Sequence, residues 1–228
     1  MTQSGGSGRS ELALRVITAL VLIAIVLPPI WIGGWLFTLM CAALSLILFY
    51  EWWHMIGNER GGSSPTSWLL FGIPYSVIPV LLLPLIRDNA EPSGLFLVLF
   101  LFVVVALTDV CAYFAGRSIG GPKLLPSVSP KKTRSGAMGG LIGATIGGAL
   151  LAAAFGELTA ATGAVMAAIL SVFSQVGDLA ESWMKRKFNV KDSSNLLPGH
   201  GGFLDRVDGL IVAAFPLVLY VLFTANGS

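Results

Sequence analysis

Charged and polar side chains are concentrated between Ser182 and Asp208, in a stretch that lies between two strongly apolar segments. The stretch combines basic residues, carboxylates, a histidine and a Gly-Gly pair, although the 228-residue chain has only 14 basic and 12 acidic residues. A patch that only met anionic lipid would be basic alone, so the mixed signs indicate a polar site. Basic groups bind phosphate, and carboxylates bind divalent cations together with phosphate oxygens. The composition therefore predicts a site for a phosphorylated ligand and a divalent metal.

Three carboxylates are the candidate metal ligands or charge partners of this site. Asp178 precedes the stretch, inside an apolar segment, where a carboxylate is costly unless it faces a cavity or a partner. An ion pair with a Lys or Arg is the structural alternative for Asp178, but the nearby acids favour a metal or substrate role. Asp205 and Asp208 are three residues apart and share one side of a helix. Compensation of the helix dipole is an alternative that fits Asp208 better than Asp205. We predict a magnesium site formed by Asp178 and Asp205.

The other candidates in the stretch are a glycine pair, a histidine and several basic residues. Gly201 and Gly202 permit a tight turn and a close approach of the backbone to a ligand. His200 lies in a Pro-Gly-His-Gly-Gly loop, where it is a proton carrier, a phosphate contact or a turn residue. Lys187 is interpreted as an anchor at the lipid headgroups. The predicted phosphate ligands are Lys185, Arg186, Lys191 and Arg206.

A second polar loop follows Asp109, Tyr113 and Gly116, which are spaced four and three residues apart. It contains a donor-rich segment suited to phosphate: Ser129, Lys131, Lys132 and Thr133. The order GxxxxGK[ST] is absent, so the loop is not a Walker loop. A basic loop alone is more often a topology signal than a site, but Asp109 near the membrane end favours a site.

The apolar segments that must position these residues predict a membrane protein. The chain is 55% hydrophobic and 11% charged, against about 25% charged residues in soluble domains. Only helices or closed barrels satisfy their backbone in lipid. We therefore predict an all-α, polytopic helical membrane protein with about seven transmembrane helices. The predicted spans are 12–32, 34–53, 67–86, 94–115, 136–156, 158–182 and 203–224. Residues 1–10 are expected to be a disordered tail, and residues 11–228 a single integral-membrane domain.

Basic residues give the expected orientation. If the N-terminus is cytoplasmic, every Lys and Arg except Arg87 falls on the cytoplasmic side, and the C-terminus lies outside. The loops 116–135 and 183–205 then face the cytoplasm together, where nucleotides are available. The net charge of +2 is too small to indicate a nucleic-acid partner.

The ordered pattern Ser182-x2-Lys-Arg-x4-Lys-Asp-x6-Gly-His-Gly-Gly-x2-Asp-Arg-x-Asp208 resembles the signature of phosphatidate cytidylyltransferases, also called CDP-diacylglycerol synthases. An upstream motif of that family is similar to Asp109-x3-Tyr-x2-Gly together with Ser129-Pro-Lys-Lys-Thr. Before this region the resemblance to the family is faint and rests on Glu51-Trp52. Arg134-Ser135 stands where the family commonly has Trp-Glu, which leaves the role of those two positions open. The resemblance is clear from about Ala106 to Asp208, and it implies that the catalytic half of the domain is about 106–228. By this resemblance, Asp178 and Asp205 match the metal-binding acids of the family. The positions that match the signature without an assigned role are Lys185, Arg186, Lys191, Asp192, His200, Arg206 and Asp208.

The resemblance implies a Mg²⁺-dependent transfer of a cytidylyl group from CTP to phosphatidic acid, for phospholipid biosynthesis, with a second cation left open. It also implies a bacterial inner-membrane location with a cytoplasmic active site, and it leaves a homodimer open. The enzymatic alternative is a CTP-dependent kinase that acts on a membrane alcohol such as a polyprenol. A transporter is the alternative from another class, but the charge lies at one face and no inverted repeat is visible. A noncatalytic relative of such lipid enzymes is a further alternative, because Arg134 is unusual at its position.

Overall fold

Membrane-length helices dominate the part of the chain that the structure, a computed structural model, describes: residues 21–57, 65–90, 93–194, 196 and 201–225. The helices are α1 (Val21–Ile32), α2 (Gly34–Gly57), α3 (Pro65–Gly72), α4 (Ile78–Asn89), α5 (Gly94–Ile119), α6 (Arg134–Phe155), α7 (Ala160–Lys187) and α8 (Leu204–Ala225). A π-helical turn, Ile73–Val77, joins α3 to α4, so that Ser67–Asn89 forms one crossing. An all-α, polytopic architecture is confirmed.

The predicted spans agree with the helices to within a few residues. Six helical segments within the described residues are long and apolar enough to cross a membrane. The shorter apolar α1 corresponds to the described part of the predicted span 12–32, whose beginning lies outside the described residues, as does the predicted tail 1–10. Seven predicted spans thus correspond to six full-length crossings and α1.

A short β-hairpin, which the sequence did not predict, interrupts the helical pattern between α5 and α6. Strand β1 (Lys123–Leu125) pairs antiparallel with β2 (Ser129–Thr133), with Lys123 opposite Thr133 and Leu125 opposite Ser129. The pairing has a register irregularity between Lys123 and Leu125, and Val128 at the turn is buried. The hairpin therefore gives the donor-rich segment a defined conformation.

Small residues let neighbouring helices approach closely, as is common in membrane bundles. A Cβ at Gly140 of α6 would lie 2.8 Å from the carbonyl oxygen of Thr108 in α5. A Cβ at Gly177 of α7 would lie 2.7 Å from the carbonyl oxygen of Asp208 in α8. Contacts this short leave no room for side chains, so these glycines fix the distances between the helices that carry the polar residues.

The two ends of the bundle differ in charge. At one end, Arg87 donates to the carbonyl oxygens of Ile30 and Trp31, both at 2.7 Å, and Asp88 accepts from the N–H of Gly34 at 3.1 and 3.2 Å. The opposite end carries the β-hairpin, the end of α7 and the start of α8, with most of the basic residues. Both polar loops thus lie at the same end.

Candidate active site

A polar cavity of about 510 Å³ lies between α5, the β-hairpin, α6 and α7. The fold brings Asp109, Lys131, Lys132, Thr133 and Asp178 together in its wall, although they are far apart in the sequence. Five predicted site residues therefore line one cavity. Four of them come from the second polar loop and the end of α5, and one comes from α7.

Lys132 and Asp178 form the ion pair of this cavity. The ammonium group of Lys132 contacts and donates to Oδ2 of Asp178. The side chains are 30% and 34% exposed, so a ligand in the cavity can reach both charges. The pair agrees with the structural alternative for Asp178, and its position in a cavity wall also suits a ligand-binding role.

Thr133 fixes the start of α6 beside the cavity. Its hydroxyl accepts a hydrogen bond from the N–H of Gly136 at 3.1 Å, which makes Thr133 the N-cap of α6. Gly136 and Ala137, in the first turn of α6, line the cavity together with Lys131 and Lys132. A helix N-terminus and two lysines form a suitable environment for phosphate oxygens. Ser129 begins β2, opposite Leu125, and positions the hairpin.

A second polar cluster joins α7 to α8. Lys185 lies 2.6 Å from Oε2 of the buried Glu181 and donates to Oδ1 of Asp205 at 3.1 Å. Asp205 also accepts from the N–H of Ser193, at 3.1 Å to each oxygen, and from the N–H of Gly202 at 2.9 Å. Asp205 thus connects the end of α7, the α7–α8 loop and the start of α8.

The glycine pair lies close to two carboxylates of the protein. Gly201 has φ of +82°, which side chains rarely adopt, and a Cβ there would lie 2.7 Å from Oδ2 of Asp205. A Cβ at Gly202 would lie 2.7 Å from Oε1 of Glu51. The positive φ of Gly201 is compatible with the predicted tight turn, which stays a prediction, and the groups that this backbone approaches are carboxylates of the protein.

Glu51, near the end of α2, also belongs to this region, although it was not among the predicted site residues. It is fully buried and accepts hydrogen bonds from the hydroxyls of Ser193 and Ser194 and from the N–H groups of Phe203 and Leu204. A carboxylate inside an apolar span is a functional hypothesis in its own right, so the sequence contained a usable signal.

The remaining predicted residues lie around these two clusters or outside the described residues. Asp208 lies one turn into α8 from Asp205, is partly buried, and accepts from the N–H of Gly209 at 2.8 Å. Four further predicted residues have exposed side chains at the same end of the bundle: Arg186, Lys191, Asp192 and Arg206. His200 lies outside the described residues.

Asp178 fits a magnesium ion better than Asp205 does. Proteins usually bind Mg²⁺ through one or two carboxylates together with substrate phosphates and water. Asp178 is partly exposed in the cavity wall, whereas the side chain of Asp205 is 6% exposed and both its oxygens already accept N–H donors. Among the described residues, no three His, Cys, Asp or Glu side chains form a metal-binding group. The donor set therefore suits an ion that binds with substrate phosphates, and the predicted assignment to Asp178 and Asp205 stays a prediction.

Comparison with known proteins identifies relatives over most of the chain. Residues 13–81 and 59–224 match the sequence profile of the cytidylyltransferase family. A phosphatidate cytidylyltransferase of Brucella suis is 42% identical in an alignment that covers 92% of this chain and 93% of the relative. Proteins with the same name from Rickettsia bellii and Haemophilus influenzae are 33% and 43% identical, and cover 93% and 79% of this chain and 91% and 68% of their own lengths.

Proposed function

We propose that this chain, which belongs to the cytidylyltransferase family, transfers the cytidylyl group of CTP to phosphatidic acid. The products are CDP-diacylglycerol, a precursor in phospholipid biosynthesis, and pyrophosphate. The observation that carries the proposal is the polar cavity in which Lys131 and Lys132 lie beside Asp178. The relatives named phosphatidate cytidylyltransferase, similar over most of the chain, support it.

The polar cavity is the proposed CTP site. Its volume of about 510 Å³ lies within the range of small-molecule sites. Lys131, Lys132 and the first turn of α6 would hold the triphosphate oxygens through charge and N–H donors. Asp178 would hold Mg²⁺, which when bound neutralises charge on the phosphate oxygens. Lys132 would exchange part of its contact with Asp178 for phosphate.

An apolar groove on another side of α7 is the proposed site of the lipid substrate. The groove has a volume of about 690 Å³, and its wall includes Trp68, Tyr75, Ala180, Trp183 and Phe215. The ammonium group of Lys187 lies 4.9 Å from the ring centroid of Trp68 and 5.7 Å from that of Trp183. A cation beside an apolar groove suits an acyl chain that ends in a phosphate.

Helix α7 separates the two sites and brings them close together. Asp178 lies in the wall of the polar cavity, and Ala180, two residues later, lies in the wall of the apolar groove. The lipid phosphate would therefore meet the nucleotide at the polar end of α7, where Lys185 is held by Glu181 and Asp205.

The proposed reaction is an in-line displacement at the α-phosphorus of CTP. A phosphate oxygen of phosphatidic acid forms the new P–O bond, the bond to the bridging α,β oxygen breaks, and pyrophosphate leaves with that electron pair. Phosphatidic acid is already anionic near neutral pH, so the chain needs no strong general base. Catalysis rests on alignment of the two phosphates and on neutralisation of their charge by the lysines.

The apolar helices make the chain an integral membrane protein. Its proposed location is the bacterial inner membrane, with the hairpin and the α7–α8 loop in the cytoplasm and the C-terminus outside. The separation of Arg87 from the other basic residues supports this orientation. The homodimer stays a prediction.

The identity of the labelled products tests the proposed function. Purified protein in detergent is given phosphatidic acid, Mg²⁺ and CTP labelled at either the α- or the γ-phosphorus, with an EDTA control. The proposal predicts a lipid product labelled only from α-labelled CTP, labelled pyrophosphate from γ-labelled CTP, and neither product with EDTA. A polyprenol-type alcohol replaces phosphatidic acid in a parallel reaction, where transfer of the γ-label to lipid with release of CDP would favour the kinase alternative.

A further inference from the structure

We infer that Glu51 is a positioning residue, which holds the α7–α8 loop and the first turn of α8 so that Asp205 and Lys185 keep their alignment. The activity part of this inference rests on the proposed function, while its structural part does not. Glu51 lies on α2, outside the walls of the polar cavity and of the apolar groove, and has no exposed surface.

The carboxylate of Glu51 caps α8 from another helix. It accepts from the N–H of Phe203 at 2.9 Å and from that of Leu204, the first residue of α8, at 2.7 Å. The first N–H groups of a helix have no acceptor within the helix, and a negative charge beside them also compensates the helix dipole. Glu51 therefore fixes where α8 begins, one residue before Asp205.

The same carboxylate also holds the other end of the loop. Ser194 donates its hydroxyl to Oε1 of Glu51 at 2.6 Å, and Ser193 donates its hydroxyl to Oε2 at 3.3 Å. The four donors come from two segments, at residues 193–194 and 203–204, and both segments are more than 140 positions from Glu51 in the sequence. Glu51 thereby closes the loop at its base.

Glu51 and Asp205 share the residues that they hold. Ser193 donates a hydrogen bond from its hydroxyl to Glu51 and one from its N–H to Asp205. Gly202 gives its N–H to Asp205, and its Cα lies so close to Glu51 that a Cβ would be 2.7 Å from Oε1. A change at Glu51 must therefore shift the donors of Asp205, although the two carboxylates lie on different helices.

Glu51→Gln is the first test, because it keeps the shape of the side chain and removes one acceptor. An amide accepts hydrogen bonds only through its one oxygen, so the NH₂ group of the introduced Gln would face a donor whose hydrogen bond the carboxylate accepts in the wild type. We expect kcat for CDP-diacylglycerol formation to fall about 10- to 100-fold, since a displacement near 1 Å at a reacting centre has an effect of that order. The KM for CTP is expected to change less than threefold, because Lys131 and Lys132 are not displaced.

Two control variants in the same protein should keep wild-type kinetics. Glu157→Gln removes a carboxylate that accepts from the N–H of Ser93 at 3.3 Å, near the opposite end of the bundle. Ser45→Ala removes a buried hydroxyl from α2, six residues before Glu51. If either control lost as much kcat as Glu51→Gln, a general disturbance of the fold would explain the loss and the inference would be wrong.

Hydrogen–deuterium exchange tests the positioning without any turnover. Peptides that contain Ser193 and Gly202–Leu204 should be protected in the wild type and exchange faster in Glu51→Gln, while peptides from the buried middle of α5 should not change. Unchanged exchange in the loop would overturn the inference, and so would faster exchange with normal kcat, because Glu51 would then have a purely structural role. An inactive wild type would reject the proposed function, and the exchange result would still decide whether Glu51 holds the loop.

A milder pair of changes covers the case in which Glu51→Gln does not fold. Ser193→Ala combined with Ser194→Ala removes two of the four donors and keeps the carboxylate on the helix N–H groups. This variant should show the same local increase in exchange and a several-fold smaller kcat. Wild-type values for both quantities would contradict the inference.

Discussion

Replacement of Asp205 by Asn should lower the stability of the protein in the absence of any substrate. Asp205 accepts from two backbone N–H groups, those of Ser193 and Gly202, and from the ammonium group of Lys185. Its side chain is only 6% exposed, so water cannot replace a lost acceptor. Asn has nearly the same shape, and the change therefore isolates the acceptor and the charge from the volume.

The size of the effect follows from the number of donors. The Asn oxygen can keep Lys185 and Ser193, but the NH₂ group then faces the N–H of Gly202, which loses its acceptor at 2.9 Å. Lys185 keeps Glu181 at 2.6 Å, so its charge stays paired. The loss of one hydrogen bond to a charged, buried acceptor lowers the free energy of unfolding by about 1.5–3 kcal/mol. For a chain of this length this corresponds to a decrease in Tm of about 3–12 °C.

Thermal unfolding of substrate-free protein in detergent measures this decrease, with Asp88→Asn as the matched control. Asp88 also accepts from a helix N-terminus, at Gly34, and lies 3.6 Å from Arg87, but its side chain is 32% exposed. Solvent can replace these contacts, so the control should cost less than about 1 kcal/mol. Equal Tm values for the two variants would refute the argument that Asp205 holds the loop.

Three further predictions concern the cavity, the helix packing and the groove. Lys132→Gln removes a cation from the wall of the polar cavity, so in steady-state assays it should raise the KM for CTP about 10-fold or more and change the KM for phosphatidic acid little. Equal changes in both KM values would contradict the assignment of the cavity as the CTP site. Gly177→Ala should destabilise the protein by about 1–3 kcal/mol, because the added Cβ would lie 2.7 Å from the carbonyl oxygen of Asp208. The control Gly57→Ala, which has open space around it, should keep the wild-type Tm in thermal unfolding. Ala180→Trp fills the groove and should raise the KM for long-chain phosphatidic acid more than that for a short-chain analogue, and an equal effect on both would argue against an acyl-chain site.

The membrane architecture followed from the sequence because apolar length alone determines which segments can span a bilayer. The Gly-rich segment that became α6 was predicted correctly even though glycine is a poor helix former, since its glycines pack against α5 in an apolar environment. The β-hairpin was not predicted, because its strands are three and five residues long and mostly polar. Segments of that length have no reliable periodicity.

The candidate site was predictable as a set of residues but not as an arrangement. Local spacing identified Asp178, Lys132 and Asp205, yet only tertiary contacts show that Lys132 pairs with Asp178 and that Asp205 holds a loop. For Glu51 the sequence offered one signal, a lone carboxylate in an apolar span, but no indication of its partners, because its four donors come from residues more than 140 positions away. The structural cost expected for Asp205→Asn therefore becomes visible only in the folded chain.

Pyrophosphate release by wild-type protein and by Asp178→Asn, compared at equal amounts of folded protein, shows whether the polar cavity is the CTP site. With CTP, phosphatidic acid and Mg²⁺, the wild type should release one pyrophosphate for each CDP-diacylglycerol formed, and only when phosphatidic acid is present. Asp178→Asn should unfold at nearly the wild-type temperature, because this carboxylate is 34% exposed, and should lose at least 100-fold in rate. Undiminished pyrophosphate release by this variant would contradict the assignment of the polar cavity as the CTP site.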